Sequence, residues 1–297
     1  MASSANNIKI NPVNVYWQIE ASECWDFTGA TAAGLGGKYV TLDLVDGTAY
    51  YIWFDENNTD TDPVVSGRTA IPVDYAASAS ATAIATAFQT AVGAAVGLDA
   101  TISGKVVTTK RVDIGEVTAP TIGNVTAGIA LTVIRKGKDL DLGLLQGDIE
   151  PNVSPANLQI TAHQFGMTPL ASLSQGFETL ELETVLLETD KAKLKEFYKI
   201  YGGSVTPVSG TEIFGAGTAV LGRNMLTEAA RLILKPVNSV DDTNNFNFAL
   251  AIPIPSSLVF SGENPEVLNV TWQGFVDRDF NSNINAVSIG DIFQTGL

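Results

Sequence analysis

Two residue types that usually carry chemistry are nearly missing from this 297-residue chain. It has one cysteine, Cys24, and one histidine, His163. A single thiol forms no internal disulfide, so the chain needs no oxidising compartment. A single imidazole excludes any site built on two histidines. Charge is also scarce, at 16% of residues against the usual quarter. What charge there is leans one way: 17 basic against 32 acidic residues give a net −15. A basic surface for gripping nucleic acid is therefore not expected of the chain as a whole. With 45% hydrophobic residues the chain has ample material for a core, and global disorder is not expected.

Reactive constellations are lacking too. No Walker loop and no GxSxG elbow occur, and the glycine-rich stretch 214–222 does not match GxGxxG. A Ser/His/Asp triad would have to use His163, which lies in an alternating strand with no companion signature. The acidic run Asp55–Asp62 opens like a calcium loop, but Asp60 stands where glycine is needed and Ser66 where a bidentate glutamate is needed. We read it as a solvated turn. An enzyme is not expected, nor a cofactor or bound metal. The opening residues 1–7 are polar, so no secretory signal is expected. Tyr75–Leu98 carries no charge, yet it is mostly Ala, Ser, Thr and Gly. Its stripe of Ile84, Phe88, Val92 and Val96 reads as a helix packed on a sheet, not a membrane insertion.

Period-two alternation is what the chain has in quantity. It marks strands over Pro12–Glu20, Tyr39–Leu44, Thr48–Phe54, Thr69–Asp74, Leu98–Ile102, Lys105–Val112 and Gly128–Arg135. After residue 138 it marks Leu158–His163, Phe177–Leu187, Arg231–Lys235, Asn245–Ile254 and Val267–Val276. Asp46-Gly47 and Ser103-Gly104 are hairpin turns. Gly29–Gly37 reads as a loop. A second helix spans 190–201, with Thr189 as N-cap, Gly202 as stop, and Leu194, Phe197, Tyr198 and Tyr201 on its apolar stripe. Lys191, Lys193, Lys195 and Lys199 fall on or near its other faces. Residues 278–297 read as an arm.

The first strand has no obvious partner in the module that follows it and resembles the strands after 140. The predicted organisation is one discontinuous β domain, 1–27 plus 138–297, interrupted by an α+β module, 28–137. Two domains in series with a stray first strand is the competing arrangement. The fold class is mainly β (α+β). The module carries 7 basic and 10 acidic residues, net −3, and the remainder 10 and 22, net −12. In Phe177–Leu187, Leu180, Leu182 and Leu186 face one way and Glu181 and Glu183 the other.

The opening Asn11-Pro-Val-Asn-Val-Tyr-Trp17, the strand-then-helix pair 177–201 and the closing Leu268–Asp277 together resemble the tail tube (major tail) proteins of long-tailed bacteriophages. The inserted stretch, with Tyr50–Asp55 and Asp62–Ile71, is similar to a small module of phage structural proteins. The resemblance implies a tail-tube-type β-sandwich or barrel with one flanking helix. It implies a structural virion protein, made in the bacterial host cytoplasm, whose hexameric rings stack into a tail tube. That tube would enclose the tape-measure protein and conduct DNA at genome ejection. Its lumen would be acidic, with Glu181 and Glu183 as lumen-facing residues and the module on the outer wall of a sheathless tail. Partners are then the chain itself, the tape measure and DNA in passage. Two other functions stay open. One is a receptor- or carbohydrate-binding β module using Tyr50, Tyr51, Trp53 and Phe54. The other is a ring-forming capsid-decorating or head–tail joining protein.

Overall fold

The computed structural model describes residues 13–147, 149–161, 169–187, 191–201, 224–237, 242–259, 267–277 and 286–290. The chain is mainly β, and it divides into two compact units, Gln18–Asp139 and 1–17 with 140–297. The first strand, β1 (Val13–Asp26), passes from one unit into the other.

In the unit Gln18–Asp139, β1 is followed by a short helix α1 (Ala32–Leu35), β2 (Tyr39–Asp43), β3 (Ala49–Glu56), β4 (Thr69–Tyr75), α2 (Ala81–Gly93), β5 (Leu98–Ser103), β6 (Val106–Ile114) and β7 (Ala130–Asp141). β2 and β3 form the expected hairpin, with Gly47 at φ +88°, and β4 joins β3 in parallel. β5, β6 and the second half of β1 form the other sheet, antiparallel, with Trp25 opposite Val107. α2 packs against β4, β5 and β6. The Ser80 hydroxyl accepts from the Ala83 N–H at its start, satisfying one orphan helix donor. Ile84, Ala85, Phe88 and Val92 are buried. Phe88 is the hub of the core, with ring centroids 5.1 Å from Phe27, 5.6 Å from Trp25 and 6.1 Å from Phe54.

Three expectations for this part of the chain are corrected. The first strand runs past the predicted 12–20 and has partners on both sides: β11 among the strands after 140, as its alternation suggested, and β6 of the adjacent module, which it meets from Glu20 to Asp26, burying Trp25 there. Residues 18–26 are grouped with this unit. The partner in the adjacent module was missed because alternation says which face is apolar but not which strand lies alongside. The predicted loop 29–37 contains α1. Val96 leaves the helical stripe because α2 ends at Gly93, and it is 83% exposed.

A buried ion pair crosses the β1–β6 ladder. Arg111 Nη1 donates to Glu23 Oε1, which also accepts from the Thr109 hydroxyl at 2.6 Å. Trp25 Nε1 donates to that hydroxyl at 3.0 Å, and Arg111 Nε donates to the Asp43 carbonyl at 2.7 Å. Burial outweighs the nearby positive charge and the hydrogen bonds, so the Glu23 carboxyl sits above its ordinary 4.5.

The second unit adds β8 (Leu145–Gln146), β9 (Pro151–Thr161), β10 (Pro169–Leu186), α3 (Lys191–Lys199), β11 (Ala230–Pro236), β12 (Phe246–Val259), β13 (Val267–Phe275) and β14 (Val287–Ile289). Its strands run in the order β1-β11-β12-β13-β10-β8, with β14 beside β12 and β9 beside β10. The β11–β12, β12–β13 and β13–β10 pairs are antiparallel. Phe248 to Ile252 of β12 are all buried, so this strand is covered on both faces and the predicted alternation there fails. Residues 278–297 are not an arm throughout, because 287–289 form β14.

Candidate functional site

Strand β10 carries the two glutamates singled out from the sequence. Its residues Leu182, Thr184 and Leu186 are buried, Glu181 is half-buried and Glu183 is exposed. The buried side meets Trp272 of β13, whose Nε1 donates to the Thr184 hydroxyl at 2.9 Å. Above it lie Trp17 and Phe197 of α3, with ring centroids 5.5 and 5.7 Å from Trp272. Such edge-to-face aromatic contacts add about 0.5–1.5 kcal/mol each beyond area burial. α3 is fastened by two polar contacts, Lys193 Nζ to the Leu142 carbonyl at 3.1 Å and Tyr201 Oη to the Pro253 carbonyl at 2.8 Å. Lys193 is thus buried although its helical position lies off the apolar stripe.

The opposite side of the sheet is mixed: its rows carry polar residues beside the glutamates, and Val185, Ile252 and Ile254 in the same register. Asn152 of β9 and Gln273 of β13 stand in register beside Glu181, and Thr271 stands beside Glu183. Asn269 and Ser257 continue the same row, joined by a 2.8 Å side-chain hydrogen bond. No lysine or arginine occupies these registered positions. The face is therefore polar along β9, β10 and β13 around two carboxylates and turns apolar at Ile252 and Ile254 of β12.

Beyond that face the sheet narrows to a ribbon. β10 pairs with β13 only over Glu181–Leu186, while it pairs with β9 from Pro169 to Leu182. Among the described strands, β9 has β10 as its only partner, and β10 upstream of Glu181 has only β9. The ribbon carries one charge, Glu178, over 151–161 and 169–180. Leu158 and Leu173 stand directly opposite each other and are 47% and 51% exposed; Phe177 is 47% exposed. Three register shifts interrupt the pairing, one beside Gly176 at φ +101°. Bulges twist an edge, yet the usual guards of an unused edge include inward and flanking charge, and here there is almost none. The charge-poor stretch was visible in the sequence; that it forms a ribbon with open edges was not.

The other sequence candidates resolve as structural groups or lie outside the described residues. Asp60 Oδ2 accepts from the Glu56 N–H at 2.8 Å and Asp55 Oδ1 from the Asp60 N–H at 3.0 Å, so these carboxylates fold the loop onto itself. Asp62 Oδ1 accepts from the Tyr51 hydroxyl at 2.7 Å; burial, with that bond and charge, pushes the phenol up to about 12. Among the described residues no cluster of three His, Cys, Asp or Glu could hold a metal ion. Tyr50, Tyr51, Trp53 and Phe54 are buried, so they do not form the exposed aromatic surface that a binding module would use. His163, Thr189, Gly202 and the 214–222 stretch fall outside the described residues. Among the described residues no helix is long and apolar enough to cross a membrane. No family model, no curated protein and no solved structure matches the chain.

Proposed function

We propose that this protein is a self-assembling structural protein of the tail tube type. Copies form rings, the rings stack into a hollow tube, and the polar face bearing Glu181 and Glu183 lines the hole. The observation that carries this reading is the β9–β10 ribbon: a sheet extension whose edges have no partner among the described strands, with exposed leucines and a single charge. Edge strands of this kind pair with other chains, and a closed ring of copies removes the edge. The placement of α3 on one side of β10 and the carboxylates on the other gives the wall two distinct surfaces. Negative charge on the inner one has the right sign for a conduit. Basic channels grip phosphates by releasing counter-ions, whereas DNA in transit requires slip.

The test is electron microscopy of the concentrated purified protein. Long tubes with regular striations are expected. Isolated rings would favour a head–tail joining or capsid-decorating role, and monomers at every concentration would end the assembly reading.

A further inference from the structure

One cleft lies wholly in the unit formed by 1–17 and 140–297. It has a volume of about 360 Å³ and is walled by Val13, Val153, Leu234, Phe246 and Ile289, with Asn244 its one polar lining residue among those described and no charged one. The β14 wall is held in place: the Gly290 N–H donates to the Asn245 carbonyl at 2.9 Å, and Asn247 Nδ2 donates to the Gly290 carbonyl at 2.8 Å. Ile289, on that wall, is 58% exposed. From the opposite wall, at Val153, β9 leads into the ribbon. There Leu158 and Leu173 stand opposite each other, hence on one face, and Ala156, two residues back, shares it. Asn157 and Ser172, each one step along its strand, face the other way. A two-stranded ribbon is marginally stable at best in water, and one with an apolar face needs that face covered.

We propose that the apolar face of the ribbon seats in this cleft of a second copy of the chain, with Leu158 and Leu173 as the anchors. This joint rests on the assembly reading and names the surface that receives the ribbon. The two surfaces agree in chemistry, since both are apolar and neither presents a charge among the residues named. They agree in size as well. An apolar cavity of about 150 Å³ accepts a benzene molecule. A cleft of about 360 Å³ accordingly has room for two leucine side chains together. The ribbon does not fill its own cleft. Leu158 is five residues beyond Val153 on a paired strand, and at about 3.4 Å per residue the two lie about 17 Å apart. An apolar patch on one part of a chain and a matching pocket on another make a heterologous, head-to-tail contact, which gives a ring wherever the rotation closes. Each copy then gives its ribbon to one neighbour and receives a ribbon from the other.

Two measurements on the full-length chain test this. In the first, Leu173→Cys and Ile289→Cys are made as separate proteins of different tagged size, each in a Cys24→Ser background, then mixed, assembled and mildly oxidised. A mixed dimer joining the two proteins is expected to dominate. Dimers of the Leu173→Cys protein with itself would pair ribbon with ribbon, and assembly without any crosslink would leave the cleft out of the joint. Either result overturns the proposal while tubes still form, so the assembly reading survives it. In the second, Ile289→Glu sets a charge on the cleft wall at an exposed position. The concentration needed for assembly, read by sedimentation, should rise about tenfold or more, because seating the leucines desolvates the carboxylate. The melting temperature of the dilute chain should stay close to the parent's. Unchanged assembly overturns the proposal. A parent that never assembles defeats the assembly reading itself, and this joint with it.

Discussion

Glu23 and Arg111 are the residues whose burial is hardest to infer and easiest to test. Both are buried, and Arg111 Nη2 has no hydrogen-bond partner among the described residues. Arg111→Met removes the one charge facing the carboxylate among the described residues and leaves it to be desolvated alone. Breaking a buried pair in this way costs about 3–5 kcal/mol, which denaturant unfolding of the unit's near-ultraviolet signal would read. The pH dependence has a definite sign. Because the folded carboxyl sits above 4.5, its contribution to stability is fully present below that value. It is lost as pH rises through the folded pKa. Subtracting the profile of Glu23→Gln from that of the parent should leave a slope falling with pH above 4.5; a slope of the opposite sign would show that the Arg111 charge dominates. None of this was readable beforehand. Ser22 and Glu23 interrupt the apolar alternation of β1, and the group that compensates them lies 88 residues away.

At the scale of elements, legibility followed period and turn chemistry. The β2–β3 and β5–β6 hairpins form where Asp46-Gly47 and Ser103-Gly104 predicted them, because glycine admits the positive φ these turns need. α2 forms under its Ile84, Phe88 and Val92 stripe. What failed were partners and ends. β1 and β7 run further than their alternation, and β12 is buried on both faces, where alternation carries no signal. Lys193 was placed by helical position, but its long stem carries the ammonium to a carbonyl. The β9–β10 ribbon yields the sharpest prediction at this scale. Leu158→Glu with Leu173→Glu puts two like charges opposite each other on its exposed face. Sedimentation should show the double variant monomeric at concentrations where the parent assembles. Its unfolding free energy should change by only about 0.5 kcal/mol per exposed site. Undiminished assembly would remove the ribbon from the joint.

For the whole molecule, if copies stack into a tube as proposed, the location of Glu183 decides which way its wall faces. In a Cys24→Ser background, Glu183→Cys in assembled tubes should react with a small maleimide and far more slowly with a bulky polymer-linked one. Equal rates would place that face on the outside. The glutamates themselves were legible as residues of one strand face. Their neighbours Asn152, Gln273 and Thr271 were not, because register between strands far apart in sequence is set by packing and not by local pattern.

The near-neutrality of the ribbon has a consequence for how gathering is triggered. If the surfaces that meet are uncharged while each copy carries −15, the brake on association is mutual repulsion between whole molecules and not any missing contact. Raising ionic strength from about 0.15 M to 1 M shortens the screening length from about 8 Å to about 3 Å. Light scattering should then show growth quickening with added salt, the reverse of an assembly glued by ion pairs, and a chain made in quantity would behave as a colloid held apart until its field is damped.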